Sequence, residues 1–185
     1  MKSYAPPDAL RAARALSRLS QQELSKNIQV TRQSISAAEN DASAPFPTVS
    51  KMRSFYEEQG LQFVGIIDID TGTINAAGVC WRRPETFPPS QSEASKYHAE
   101  PNGTAFVAAR SLLGASRAEV ASKSDISLKD LAALEAGTEY SGEAYQRLRA
   151  YYNENGIEFM GTGDVRTGRY YGVGVRWAVL GPATE

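Results

Sequence analysis

One cysteine and one histidine in 185 residues exclude several chemistries at once. Cys80 alone cannot form an intrachain disulfide framework, and with His98 as the only imidazole there are few ways to build a Cys/His metal site or a histidine-dependent triad. No phosphate-binding glycine loop, nucleophile motif or metal-ligand spacing occurs, so no enzyme, cofactor or metal is expected. Long apolar runs are missing too: nothing approaches the length needed to cross a bilayer, and MKSYAPPDALRAAR lacks the apolar core of a secretory signal. A cytoplasmic chain without a membrane partner is the expectation. Charge of one sign is absent as well, since 20 basic against 21 acidic residues describe neither a strongly basic polyanion binder nor an acidic tail.

What the chain does contain is itself, twice. Shifted by 96 positions, it matches without a gap from its first helical pattern to its last strand pattern. Identities at that offset include Arg14/Arg110, Ser20/Ser116, Glu23/Glu119, Glu39/Glu135, Tyr56/Tyr152, Gly60/Gly156, Phe63/Phe159, Gly72/Gly168 and Trp81/Trp177. The intervening residues 82–103 are rich in Pro, Ser and charge and have no periodic apolar face, as in a linker. The expected organisation is therefore a first unit over 1–81, a linker over 82–103 and a second unit over 104–181.

Each unit has the same coarse pattern. Asp8 or Thr104 is expected to cap a first helix in which Leu10, Ala13 and Leu16, or Phe106, Ala109 and Leu112, recur at helical spacing. Ser20-x-x-Glu23 and Ser116-x-x-Glu119 have the form of capping boxes and open a second helix, and Thr31 or Ser127 caps a third. A longer helix near 48–59 or 144–155 should stop at Gly60 or Gly156. Beyond the glycine the apolar period changes to two, with Asp70-Thr71-Gly72 or Arg166-Thr167-Gly168 as the turn of a β-hairpin. The turn also accounts for Asp68, Asp70 and Asp164 better than a carboxylate cluster does. The fold class is thus mainly α with a small β component, α+β: two tandem four-helix units, each followed by a β-hairpin. Isolated hairpins are marginal in water, so the two are expected to pack on the helices and on each other, related by a pseudo-two-fold axis.

Residues 20–41 carry the sharper signal, SQQELSKNIQVTRQSISAAEND. With the apolar sites Leu24, Ile28, Val30, Ile35 and Ala38, and Val120, Ala121, Ile126, Leu131 and Leu134 in the second unit, this segment resembles the helix-turn-helix of the Cro and phage-repressor class, the XRE family. The usual turn glycine is Gln29 or Asp125 here, and an apolar position is occupied by Ser124. The resemblance implies structural ion pairs Arg14 with Glu39 and Arg110 with Glu135. It also implies a third helix entering the major groove of double-stranded DNA by its front end. Thr31, Arg32, Gln33, Ser36, Ala37 and Asn40 would then face bases, with Arg32 suited to guanine and Gln33 to adenine. Gln21, at the start of the second helix, would hold a phosphate.

The two units differ in charge. Over 8–40 the first has five basic and three acidic residues, while 104–136 has four of each. The second is therefore expected to bind weakly, mainly to phosphates, through Arg117, Ser127 and Lys129. The leading expectation is a sequence-specific transcriptional regulator acting as a repressor on an operator. The alternative is a protein-interaction module, such as an antitoxin or antiactivator, using the same surface or the hairpins. One chain could cover an asymmetric operator, or two chains could form a homodimer in which each contributes its first unit. Ser124 and the neutral second unit lean towards the homodimer.

Overall fold

The computed structural model describes residues 4–179. Helices α1 (Pro7–Leu16), α2 (Gln21–Ile28), α3 (Arg32–Asn40) and α4 (Phe46–Glu58) precede a hairpin of β1 (Leu61–Ile67) and β2 (Ile74–Trp81). A short helix α5 (Gln91–Ala94) and strand β3 (Ala99–Glu100) follow. Helices α6 (Phe106–Leu113), α7 (Arg117–Lys123), α8 (Leu128–Ala136) and α9 (Gly142–Glu154) then precede a second hairpin of β4 (Ile157–Asp164) and β5 (Arg169–Trp177). The fold is mixed helix and antiparallel sheet.

Local chemistry sets most of these boundaries. Both capping boxes form: Ser20 Oγ accepts from the Glu23 amide and Ser116 Oγ from the Glu119 amide, while each glutamate reaches back to the serine amide at 2.8 Å. Thr31 and Ser127 cap α3 and α8 as their sequences imply. The first helices start differently from expectation. Pro6 and Ala105 occupy the cap positions, and neither helix has a side-chain cap bond. Proline's fixed φ nucleates α1 without a cap, which frees Asp8, in its first turn, for a bond elsewhere. Between α2 and α3, and between α7 and α8, Gln29 and Asp125 take the left-handed conformation at φ 53°, the position where glycine is usual. Ser124, although buried, satisfies its hydroxyl within its own helix by donating to the Val120 carbonyl at 2.7 Å.

Leu10, Ala13 and Leu16 of α1 pack into one core with Leu24, Ile35, Ala38, Met52 and Tyr56, and Phe106, Ala109 and Leu112 join the same cluster with Leu131, Leu148 and Tyr152. Ala9 and Ala12, away from the Leu10 stripe, are buried as well, so α1 needs a second partner. It has one in α6, with the sheet behind both helices.

Each hairpin carries one bulge, between Val64 and Ile66 and between Met160 and Thr162, which are equivalent positions. The hairpins meet through their second strands. β2 pairs antiparallel with β5, Gly78 opposite Arg176, Val79 opposite Val175 and Cys80 opposite Gly174. Glycine is required at this junction: a Cβ on Gly78 would lie 2.2 Å from the Val175 carbonyl oxygen, and one on Gly174 2.2 Å from that of Val79. Residues 82–103 are more ordered than their composition implies, because β3 pairs with Tyr170 and Tyr171 of β5, and Phe87 packs edge-on against Tyr171.

Candidate nucleic-acid interface

The third helix of the first unit is held from behind. Glu39, at its C-terminal end, is 1% exposed and receives Arg14 Nε at 2.6 Å and Nη2 at 2.9 Å, so α1 clamps α3 through a bidentate pair. Burial pulls the Arg14 guanidinium down, but its bonds to Glu39 outweigh this and its pKa is raised. Arg110 and Glu135 repeat the arrangement between α6 and α8, with Glu135 equally buried. These pairs face the core and are structural.

On the front of α3 the structure brings several of the expected contacts together. Arg32 and Gln33 occupy the first turn and are exposed, as is Ala37. Ser36 is half-buried on the same helix and its carbonyl accepts from Asn40 Nδ2 at 2.7 Å. Thr31 is occupied by capping and by a 2.8 Å contact with the Ser34 hydroxyl. On α8, Leu128 and Lys129 are exposed at the equivalent places. Asp130 is not aimed outward as a free anion, because it accepts from the Ser127 hydroxyl at 2.6 Å and its amide is capped by the same oxygen.

Two residues expected to hold phosphate are turned elsewhere. Gln21 Nε2 donates to Glu39 at 2.8 Å, and Arg117 Nε, at the equivalent position, donates to Glu135 at 2.7 Å. Each completes the hydrogen bonding of the buried glutamate. The charge difference between units also changes meaning in three dimensions. Arg11 and Arg14 of the first unit point into the structure, as does Arg110 of the second. Around the two motifs, the exposed cations Lys26 and Arg32, and Lys123 and Lys129, make no ion pair among the described residues. Each unit therefore presents two.

Other groups found partners that the sequence does not reveal. His98 lies flat on Trp81 with ring centroids 3.8 Å apart, and its Nε2 is 2.8 Å from Glu100, which also meets Arg18. Asp68 Oδ1 accepts from the amides of Asp70 and Thr71, the local turn role expected of it, and this holds its carboxyl below the usual range. Among the described residues no group of His, Cys, Asp or Glu is placed to hold a metal ion, and no helix is long and apolar enough to cross a membrane. Trp177 Nε1 of the second unit donates to Asp8 of the first at 2.6 Å, the bond for which that carboxylate is freed.

No curated protein and no solved structure matches the chain. A family model described as Helix-turn-helix matches residues 10–58, the span from α1 to the end of α4. The Arg14–Glu39 clamp, the left-handed turn at Gln29 and the polar front of α3 all lie in that span, and residues 10–58 form a helix-turn-helix, a kind of domain that DNA-binding regulators carry.

Proposed function

We propose that the protein is a sequence-specific, DNA-binding transcriptional regulator, acting as a repressor, in which one chain supplies both halves of a two-fold reading unit. The first unit spans 1–81 and the second 104–181, related by a pseudo-two-fold axis, and α3 and α8 are the two reading helices. The observation that carries this reading is the register of the central strands. Val79 lies opposite Val175, and those residues are themselves equivalent at the 96-residue offset, as are Gly78 and Gly174 on either side. An antiparallel pair centred on equivalent residues is the geometry of a symmetric dimer interface. α1 against its equivalent α6 extends the same relation. Paired helix-turn-helix units place their reading helices about 34 Å apart, one turn of DNA, so two different helices on one chain suit an asymmetric operator.

In this scheme Arg32 and Gln33 read bases for the first unit, with Thr31, Ser36 and Asn40 beside them, and Leu128 and Lys129 do so for the second. Gln21, Arg117 and Ser127 position the helices, and the amides at the fronts of α2 and α7 meet phosphates. No catalysis is assigned. Selection of bound fragments from a genomic DNA library, followed by footprinting, tests the proposal. A protected site of two unlike halves on one face of the duplex supports it, and uniform weak binding to all sequences removes it.

One observation favours a second, compatible role in protein association. Ile66, Ile67 and Ile69 are exposed together at the end of the first hairpin, whereas on the second hairpin the equivalents of Ile66 and Ile67 are Thr162 and Gly163, leaving Val165, the equivalent of Ile69, as a single exposed aliphatic there. A homodimer or a protein partner of the regulator would engage the end of the first hairpin.

A further inference from the structure

The two units differ at one pair of equivalent positions in the middle of their first helices, Arg11 and Val107. Arg11 acts as an internal ligand. Its Nε donates to the Ser111 carbonyl at 3.0 Å, Nη2 reaches the Leu112 carbonyl at 3.5 Å, and Nη1 donates to the Glu39 carbonyl. One guanidinium thus gathers main-chain acceptors at the C-terminal ends of α6 and α3, where helix carbonyls lack partners and the dipole favours a cation. It also fills the space above Gly114, whose added Cβ would sit 3.2 Å from Nη2.

At the equivalent place on the other side of the α1–α6 pair there is a cleft of about 860 Å³. Ala15, Leu16 and Glu135, the equivalents of Ser111, Leu112 and Glu39, all line it, and so does Val107. Valine is too short to reach those carbonyls. Among the described residues the Leu16 and Glu135 carbonyls accept no hydrogen bond, and that of Ala15 accepts only from main-chain amides at the end of its own helix, whereas that of Ser111 accepts from Gly114 and from Arg11 as well. Arginines at the cleft are paired with carboxylates: Arg14 with Glu39 behind it, and Arg110 and Arg18 with Glu135 and Glu100, which line it as well. The cleft is therefore the counterpart of the Arg11 site, with Arg18 at the place of Gly114 and no guanidinium on those carbonyls, within the size range of small-molecule pockets and placed between two packed units, where such sites concentrate.

We propose that this cleft binds a small organic cation, an alkylguanidinium, whose head is held by the Ala15, Leu16 and Glu135 carbonyls and whose stem lies along Val107 and Leu134. Resting on the two-unit DNA reading, the ligand would act as an effector. It would tie the C-terminal end of α8 to α1 as Arg11 ties α3 to α6, and so set the angle of the second reading helix.

The test uses the full chain without DNA, so that its outcome is separate from that of the DNA reading. Agmatine is titrated into the isotope-labelled protein and amide resonances are followed. Saturable shifts concentrated at residues 15–18 and 134–137 are expected. Val107→Arg, which supplies the cation covalently, should weaken agmatine binding by at least about tenfold. Absent shifts, shifts centred elsewhere, or equal binding by a folded Val107→Arg variant would overturn the proposal. If that variant does not fold, the wild-type shift map decides between the same two results.

Discussion

Removing Arg14 should be among the most damaging single changes in the molecule, although it touches no proposed DNA contact. Glu39 is 1% exposed and is bound by the Arg14 guanidinium at 2.6 and 2.9 Å and by Gln21 at 2.8 Å. In Arg14→Ala the carboxylate keeps only a neutral amide for company, and an uncompensated buried charge of this kind costs about 3 to 5 kcal/mol. Replacing the whole pair by apolar residues of similar size, Arg14→Met with Glu39→Leu, removes the charge as well as its partner and should cost far less. Urea unfolding followed by circular dichroism compares the single and double variants, with agreement between circular dichroism and tryptophan fluorescence checking that one transition is measured. The expected pattern is a large loss for the single variant and substantial recovery in the double. An Arg14→Ala loss below about 1 kcal/mol, the range of surface ion pairs, would refute the assignment of this pair as the clamp on α3.

Three further outcomes follow from the geometry. Gly174→Ala places a methyl group 2.2 Å from the Val79 carbonyl oxygen, and should separate β2 from β5 at a cost of about 3 kcal/mol or more; thermal unfolding measures it, and a near-neutral result would contradict the close strand approach. Asp8→Ala leaves the Trp177 indole N–H without its 2.6 Å acceptor and should cost about 1 to 3 kcal/mol, with a change in tryptophan emission; unchanged emission and stability would contradict this inter-unit bond. Backbone hydrogen bonds lower the Glu23, Glu119 and Asp68 pKa values, and the Arg166 side chain lowers that of Asp164. Because these folded values lie below the unfolded ones, their contribution is present above the ordinary carboxylate range of about 4 and is lost as pH falls through the lowered values. Acid titration by circular dichroism should show stability falling there, and a flat profile below pH 4 would contradict it.

Features carried by short-range chemistry are legible in the sequence. Ser20-x-x-Glu23 and Ser116-x-x-Glu119 need only three residues to define a helix start, and both capping boxes form. The left-handed turns at Gln29 and Asp125 were legible through the resemblance to a known motif, which has glycine there. Arg14 and Glu39 are 25 residues apart, and were legible only through the resemblance to a known motif. What was not legible depends on contacts between units. Asp8 looks like a helix cap because aspartate commonly is one; its actual acceptor role needs Trp177, 169 residues away. Arg11 counts as surface charge until α6 is placed against α1, when it becomes a bridge. The polar composition of 82–103 hides β3, whose partners Tyr170 and Tyr171 lie far along the chain in β5. One signal was available for Arg11: its equivalent is Val107, an arginine-to-valine exchange in helices otherwise alike in pattern.

The stoichiometry of the complex on a mapped operator tests the central claim most directly, measured by mass for wild type, Arg32→Ala and Lys129→Ala. One chain per operator is expected, with each substitution weakening binding and relaxing preference in a different half-site, Arg32→Ala by about 1 to 3 kcal/mol if it grips a guanine. Two chains per operator, with Lys129→Ala indifferent, would contradict a single chain that carries both reading helices.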